Sequence, residues 1–457
     1  MQTACVIPMN TTSTPRHVIS VFGLGRVGLI TAVCFARRGY KVIGIDPDNH
    51  KLDRIRSGEP LFFEPGLHDY TKAAISNGLL TVTNDPLANT GSDLSYLTVG
   101  TPSNLDGSIN LDYLKNATAS VGKSIRKSST YQTVVIKSTV TPGTARNVVR
   151  PILESESGKS VGLEFGLCSN PEFLREGSAI HDAEFPDRIV IGSNDMKSID
   201  NMETFYKELH GEHTPTVIRT SHENAELIKY ANNAFLALKV SFINSIANIT
   251  ERVPGADVKT IATGIGLDNR IGPKFLNAGL GWGGSCLPKD LKELSSYSKT
   301  LGYDFTLIEA AIRVNDYQKQ RAVEIAQMKL GSLIGKRIAI LGLSFKPGTD
   351  DMRDAVSVPI IEGLLARGAT VVAFDPAAVR NARGIFGNKI AYATDPMNCI
   401  SGADCAIIVT EWPEFDISPS MFLKLMRYPM VIDGRRVYEA ELFIRSGIDF
   451  SAIGLGT

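Results

Sequence analysis

The chain is poor in everything that would mark a secreted, metal-bound or membrane-spanning protein. Its 457 residues hold only six cysteines, Cys5, Cys34, Cys168, Cys286, Cys399 and Cys405, with no CxxC pair and no Cys/His cluster at metal spacing. That usage fits a reducing compartment and speaks against a disulfide framework or a zinc site. A cytoplasmic protein without a bound metal is therefore expected. Net charge is missing too: 48 basic residues balance 48 acidic ones, evenly spread, so neither a nucleic-acid groove nor an anionic membrane surface is indicated as a partner. No stretch is apolar for long enough to span a bilayer. Residues 1–16, MQTACVIPMNTTSTPR, lack a basic start and a sustained apolar core, and read as a flexible tail rather than a signal peptide. What is present is 43% hydrophobic residues over a length too great for one core, enough for two or three domains.

Two strand, glycine turn, helix, strand units lie far apart. The first is HVISVFGLGRVGLITAVCFARRGYKVIGID, from His17 to Asp46; the second brackets a helix between KRIAILGLSF and GATVVAFDP, from Lys336 to Asp375. Both predict parallel βαβ units. Apolar runs at Leu94–Val99, Thr133–Lys137 and Arg188–Gly192 extend the first, and Cys405–Thr410 and Met430–Asp433 the second. The fold class expected is α/β, two doubly wound Rossmann-like domains joined by a long central helix and a helical dimerisation region. The predicted boundaries are 17–219, 220–326 and 327–457. Within the middle segment, Thr220-x-x-Glu223 resembles a capping box, and ENAELIKYANNAFLALKVSFINSIANIT keeps helical apolar spacing over an unusual length. Its exposed apolar face is a candidate dimer surface.

In Gly23-Leu-Gly25-Arg-Val27-Gly28, Gly23 permits a tight turn, Gly25 lets the backbone reach a pyrophosphate and Gly28 packs helix on strand. GxGxxG alone is weak, but here it follows a strand, opens a helix and is followed by Asp46 at the end of the next strand. A carboxylate there accepts hydrogen bonds from an adenosine ribose and repels a 2′-phosphate, so the expected cofactor is NAD rather than NADP. Val99-Gly-Thr101-Pro and Lys137-Ser138-Thr139 close strands where ligands sit in an open α/β sheet, although ordinary loop chemistry reads the same way.

GWGGSCLPKD, from Gly281 to Asp290, places Cys286 at a helix start. Gly283 and Gly284 allow a ligand close to the backbone, Pro288 suits a first turn, and Leu291, Leu294 and Leu301 continue the apolar face. The helix dipole and a cationic Lys289 would stabilise a thiolate, making Cys286 a candidate nucleophile; a small buried core cysteine is the competing reading. Asn170-Pro-Glu172-Phe-Leu-Arg-Glu176 sets two acids around an apolar pair, company that can raise a carboxyl pKa for acid-base work. Lys229 and Asn233 share one helix face and could stabilise an oxyanion. Taken singly, these last two clusters read first as solvated or capping arrangements.

Together GLGRVG, VGTP, KSTVTPGT, NPEFLREG, AELIKYANNAFLALKVSFIN, RIGPKFLNAGLGWGGSCLPKD, GLSFKPGTDDMRD, TEWPEF and DGRR, in this order, resemble the UDP-glucose/GDP-mannose dehydrogenase family from His17 onward. The resemblance implies oxidation of a sugar-nucleotide primary alcohol to the acid by two NAD molecules, with no metal. It implies that Cys286 captures the aldehyde as a thiohemiacetal and carries a thioester. By motif, Glu172 is the acid-base of thioester hydrolysis, Lys229 and Asn233 steady the oxyanion and a water, Asp290 assists that water, and Thr139 helps through its hydroxyl. Family NAD positions fall on Gly23, Gly25, Val27, Gly28, Asp46, Thr101, Thr139, Glu176 and Arg353. Sugar-nucleotide positions fall on Phe173, Leu174, Lys229, Phe275, Gly283, Phe345, Lys346 and Arg435, with Arg270 contributed to the partner subunit of a homodimer or higher oligomer.

The segment GADVKTIATGIGLDNRIGPKFLNAGLGWGGSC is more similar to the UDP-glucose branch than to the GDP-mannose branch, and GGSC with PKD differs from the GGHC-type motif of the N-acetylhexosamine branches, so UDP-glucose is the expected substrate and GDP-mannose or another nucleotide sugar the alternative. Trp282 stands where the family more often has Tyr or Phe. A two-electron dehydrogenase of the 6-phosphogluconate or 3-hydroxyacid kind needs neither Cys286 nor the FKPGTDD unit, and an NAD-responsive scaffold needs none of Cys286, Lys229 and Asp290.

Overall fold

A computed structural model describes residues 17–456; the tail expected at residues 1–16, with Cys5, lies outside them. Two compact units divide between Ala231 and Asn232. In the first, eight strands form one sheet: β1 (Val18–Phe22), β2 (Lys41–Ile45), β3 (Leu80–Thr83), β4 (Leu94–Leu97), β5 (Thr133–Ile136), β6 (Gly166–Ser169), β7 (Arg188–Gly192) and β8 (Thr216–Thr220). Their order is β3-β2-β1-β4-β5-β6-β7-β8, parallel except for a single antiparallel pairing of β6 with β7. β1, β4 and β5 are almost wholly apolar and buried on both faces, as a covered parallel sheet requires.

The second unit repeats the plan with β9 (Arg337–Leu341), β10 (Thr370–Phe374), β11 (Ala391–Tyr392), β12 (Cys405–Ile408), β13 (Met430–Asp433) and β14 (Asp449–Ala452). Their order, β11-β10-β9-β12-β13-β14, is all parallel. In each sheet the order reverses beside the strand that enters the glycine turn, β1 or β9, and opens a crevice at the carboxyl ends. The predicted strands Arg188–Gly192 and Met430–Asp433 have the observed ends. β3, β6, β8, β11 and β14 are additional to those predicted.

Between β8 and β9 the described chain is helical: His222–Thr250, Val258–Gly266, Leu287–Thr300, Thr306–Gln318 and Arg321–Leu330. The 29-residue helix begins at His222, two residues past its predicted cap. Thr220 closes β8, Ser221 Oγ accepts from Asn224 N at 3.3 Å, and Glu223 pairs with Arg146 at 2.8 Å, so the box expected from Thr220 and Glu223 does not form. No helix among the described residues is long and apolar enough to cross a membrane. No cluster of three or more metal-ligating side chains occurs among them.

Candidate active site

In the first unit the glycine turn joins β1 to the helix Arg26–Arg37. Gly23 has φ +91°, and a Cβ on Gly28 would sit 1.8 Å from the Gly23 carbonyl oxygen. Both glycines are thus demanded by the protein's own backbone. A Cβ on Gly25 would meet nothing within 4 Å, so this glycine faces open space at the helix N-terminus, where backbone N–H groups suit a pyrophosphate. Asp46 ends the next strand, 4% exposed; its Oδ2 accepts from Leu24 N at 2.8 Å and lies 3.4 Å from Lys51 Nζ, while Oδ1 accepts from Asp48 N at 3.0 Å. This carboxylate therefore braces the glycine turn from the carboxyl end of β2. The residues fit a dinucleotide. At the carboxyl ends of the neighbouring strands β4 and β5, the Thr101 hydroxyl donates to Thr139 O at 2.8 Å and the Ser138 hydroxyl to Val99 O at 2.7 Å, tying VGTP to KSTV.

The NPEFLREG segment follows β6 and is gathered onto Lys229. Lys229 Nζ donates to Glu172 Oε1 at 2.9 Å and to Glu172 O at 2.8 Å, and Leu174 N donates to Glu172 Oε2 at 2.6 Å. Burial alone would raise the Glu172 pKa, but the Lys229 charge and these hydrogen bonds outweigh it and hold the carboxyl below its ordinary value. The sequence expectation of a raised pKa in this segment is thereby corrected for Glu172. Its partner Glu176 pairs with Arg26 at 3.4 Å. Phe173 lies under the Arg188 guanidinium, 3.7 Å from its ring centre, and 5.5 Å from Lys229 Nζ.

In the second unit Cys286 caps the helix Leu287–Thr300, with Pro288 in the first turn. It is exposed, whereas Cys34, Cys168, Cys399 and Cys405 are buried, and burial raises each of those four thiol pKa values, Cys399 to about 12. The exposed thiol is the one at the helix start. Three details differ from expectation. Lys289 is bound to Asp290 at 2.8 Å and Glu293 at 3.0 Å, which outweigh burial and hold its pKa high, so its charge is answered by carboxylates rather than offered to the thiol. A Cβ on Gly283 would lie 2.2 Å from Asp354 O, and one on Gly284 2.7 Å from the Phe345 ring, so both glycines are demanded by the packing of the GLSFKPGTDDMRD segment. Leu301 is the C-cap and 66% exposed, past the end of the apolar face.

Asn233 Nδ2 donates to Asp290 Oδ2 at 2.6 Å, and Asp290 is 1% exposed, one turn from Cys286 on its helix. Lys229 and Asn233, one turn apart on the long helix, are thus each tied to their own carboxylate, Glu172 and Asp290. Lys229 and Glu172 form an ion pair, and Asn233 and Asp290 an ion-dipole couple. The Arg435 Nε donates to Val409 O at 2.6 Å and Nη1 to Gly281 O at 3.2 Å, joining DGRR to the cysteine loop. Trp282 is held by Asn315, whose Oδ1 accepts from Trp282 N at 2.7 Å, and by Ser241 Oγ, which accepts from its indole at 2.9 Å. Lys346 Nζ lies 5.8 Å from the Phe345 ring centre, Arg353 forks onto Asp351, and Arg270 is bound to Asp268 at 2.6 Å with its side chain 89% exposed. Phe275 sits at φ +63° and is 39% exposed.

Comparison with known proteins decides the family. Its three domain models match in register: the NAD binding domain over residues 17–210, the central domain over 223–317 and the UDP binding domain over 339–440. The chain belongs to the UDP-glucose/GDP-mannose dehydrogenase family. It is an NAD-dependent nucleotide-sugar dehydrogenase, as the sequence motifs imply. It is 43% identical to UDP-glucose 6-dehydrogenase TuaD of Bacillus subtilis over 95% of this chain and 93% of that protein. Among solved structures it is similar to a UDP-glucose dehydrogenase of Pyrobaculum islandicum, at TM-score 0.88 and 37% identity over 97% of this chain and all of the other. It is also similar to a UDP-D-ManNAc dehydrogenase of Pyrococcus horikoshii, at TM-score 0.83 and 28% identity over 96% and 99% of the two chains.

Sequence reasoning missed Lys51 beside Asp46, Asn315 behind Trp282 and Glu226 on the long helix. Lys51 had a signal: a cation one helical turn past the acid that ends β2. Asn315 had none, being 33 residues from the atoms it holds.

Proposed function

We propose that the enzyme oxidises the C6 primary alcohol of UDP-glucose to the acid, giving UDP-glucuronate, with Cys286 as covalent nucleophile. The observation that carries this reading is the contrast among cysteines: four are buried with raised thiol pKa values, and Cys286 alone of the five described is exposed, at a helix N-terminus. UDP-glucose is preferred because the 43% identical relative is a UDP-glucose 6-dehydrogenase.

NAD, when bound, accepts a hydride in each of two oxidations. The chain's own groups handle the rest. Cys286 thiolate adds to the aldehyde carbon, forming a C–S bond and an oxyanion that the Lys229 ammonium and the Asn233 amide stabilise. Loss of the second hydride leaves a thioester. Water, oriented by Asp290 and the Thr139 hydroxyl, adds to its carbonyl; the C–S bond breaks and the thiolate returns. Glu172, kept ionised by Lys229, takes up a proton in this hydrolysis rather than supplying one. NAD would be held by Gly23, Gly25, Val27 and Gly28 at the glycine turn, with Asp46, Thr101, Thr139, Glu176 and Arg353 as its further partners. The sugar nucleotide is held by Phe173, Leu174, Lys229, Phe275, Gly283, Phe345, Lys346 and Arg435; the basic groups answer its diphosphate. Specificity constants for UDP-glucose, GDP-mannose and UDP-N-acetylmannosamine test the assignment. UDP-glucose is expected to be preferred; turnover of GDP-mannose alone would overturn the choice of sugar.

Asp46→Ala is expected to lower the NAD over NADP preference by about tenfold or more, since the acid facing the ribose is lost and Lys51, 3.4 Å away, is left to meet a 2′-phosphate. Unchanged discrimination in kcat/KM would remove the ribose role. Phe235, Phe242 and Ile249, exposed at seven-residue spacing on the long helix, support a homodimer through that face, and the outward Arg270 supports its service to the partner's sugar. Light scattering that finds a monomer at working concentration would remove both assignments.

A further inference from the structure

The long helix carries a buried acid that the chemistry above does not use. Glu226 is 3% exposed, one turn before Lys229 and two before Asn233 on the same helix face. Its two carboxylate oxygens take one backbone amide each: Oε2 accepts from Gly143 N at 2.6 Å and Oε1 from Ala145 N at 2.8 Å. Those amides stand at the head of Ala145–Val149, a π-helical turn, at the far end of the loop that begins with Ser138 and Thr139. Gly143 has φ +90°, a conformation open to glycine without strain, and it turns its N–H onto the carboxylate. A small cavity is lined in common by Thr139, Ser169, Glu226 and Lys229. Near Glu226 the charged groups are Glu223 and Lys229 on its own helix and Arg146 on the turn it holds; Arg146 is already paired with Glu223 at 2.8 Å. Against the sheet side the neighbours are the uncharged Ser138 and Ser169, with Glu172 behind Lys229.

We propose that Glu226 is a positioning residue of the reaction: its ionised carboxylate clamps the Thr139 loop through the Gly143 and Ala145 amides and sets where the Thr139 hydroxyl stands. The inference rests on the reading of Thr139 as a participant in the chemistry. An ionised carboxylate can accept both amides. A protonated one turns one oxygen into a donor facing an amide N–H, so one of the two bonds is lost and the loop is released. Burial pushes the Glu226 carboxyl up to about 7, which brings this release into the range where the enzyme is assayed. The sign follows: with a folded pKa above the unfolded one, the protonated form favours the fold, and that contribution is lost as pH rises from the ordinary carboxylate value through about 7. The clamp therefore gains hold on the loop over the same interval in which it costs stability.

The test compares the full-length enzyme with Glu226→Gln and Thr139→Val, following kcat and both KM values from pH 5.5 to 9 with NAD and UDP-glucose. The wild type is expected to show a kcat that rises through one ionisation near 7, at nearly constant KM. Glu226→Gln, isosteric and uncharged, keeps one acceptor and loses the other; it is expected to fold at least as stably, to lose that ionisation and to turn over about tenfold more slowly. A Glu226→Gln enzyme that retains the ionisation and the wild-type kcat, while Thr139→Val is impaired, overturns the clamp and leaves the Thr139 reading standing. Wild-type turnover by Thr139→Val overturns the Thr139 reading itself. A measurement on the unmutated enzyme guards against a variant that fails to fold. After correction for intrinsic exchange, deuterium uptake in a peptide spanning residues 139–149 is expected to slow as pH rises through about 7, and pH-independent protection would overturn the proposal.

Discussion

Cys286→Ser is expected to lower steady-state NADH formation by roughly 10³-fold or more while leaving the fold and NAD binding unchanged. Ionisation separates the two side chains: a thiol with an ordinary pKa of about 8.5 yields thiolate at assay pH, and a helix N-terminus increases that fraction, whereas a serine hydroxyl does not ionise. The variant can still lose the first hydride. It cannot readily capture the aldehyde, or it forms an oxygen ester too sluggish to hydrolyse, so product stalls at the aldehyde or at the covalent stage. Rapid-mixing kinetics with mass spectrometry of the protein distinguish these two arrests. Because the residue is exposed and makes no cap hydrogen bond through its side chain, little stability is at stake, and a deficit cannot be assigned to unfolding. Wild-type turnover would remove Cys286 from the chemistry.

Lys229→Met is expected to be the most damaging single change to the first unit, costing both turnover and about 3–5 kcal/mol of stability. Lys229 is 4% exposed and Glu172 8%. Removing the ammonium leaves a buried carboxylate with one backbone donor, Leu174 N, where there had been two partners. Adding Glu172→Gln should restore much of the stability, since the stranded charge is gone, and none of the turnover. Chemical denaturation of the two singles and the double measures the coupling directly. Additive losses would mean that the pair is not the unit described. The pair also fixes a pH dependence. The Glu172 pKa is lower in the fold than in the unfolded chain, so its contribution is present above the ordinary carboxylate value of 4.5 and is lost as pH falls through the folded one.

The first glycine turn could be read from the sequence because part of the demand on it is local, whereas a Cβ on Gly342 in the second would meet Thr410, 68 residues away. Gly23 and Gly28 answer to each other within six residues, and the flanking apolar runs identify the strands that they join. The edge strands could not be read in this way. β3 is LTVT and β6 is GLCS, too short and too mixed to separate from loop without knowing what pairs with them. At the site, residue types were legible and partnerships were not. Phe173 and Leu174 beside Glu172 suggested an apolar setting and a raised pKa. Lys229, 57 residues further on, reverses the direction. Lys289 stood close to Cys286 in sequence, but its helix turns it toward Glu293, four positions along and within reach of a helical side chain, and it also pairs with the adjacent Asp290. Glu226 gave no signal at all. It lies in a helix where any surface acid would pass unnoticed, and the amides it grips are 81 and 83 residues away.

The central claim is a four-electron oxidation through Cys286, and counting NADH released per UDP-glucose consumed, to completion with excess NAD, tests it most directly. The account predicts two NADH and UDP-glucuronate as sole product. One NADH per sugar, with the aldehyde as end product, would contradict it and leave Cys286 a structural residue at the start of a helix.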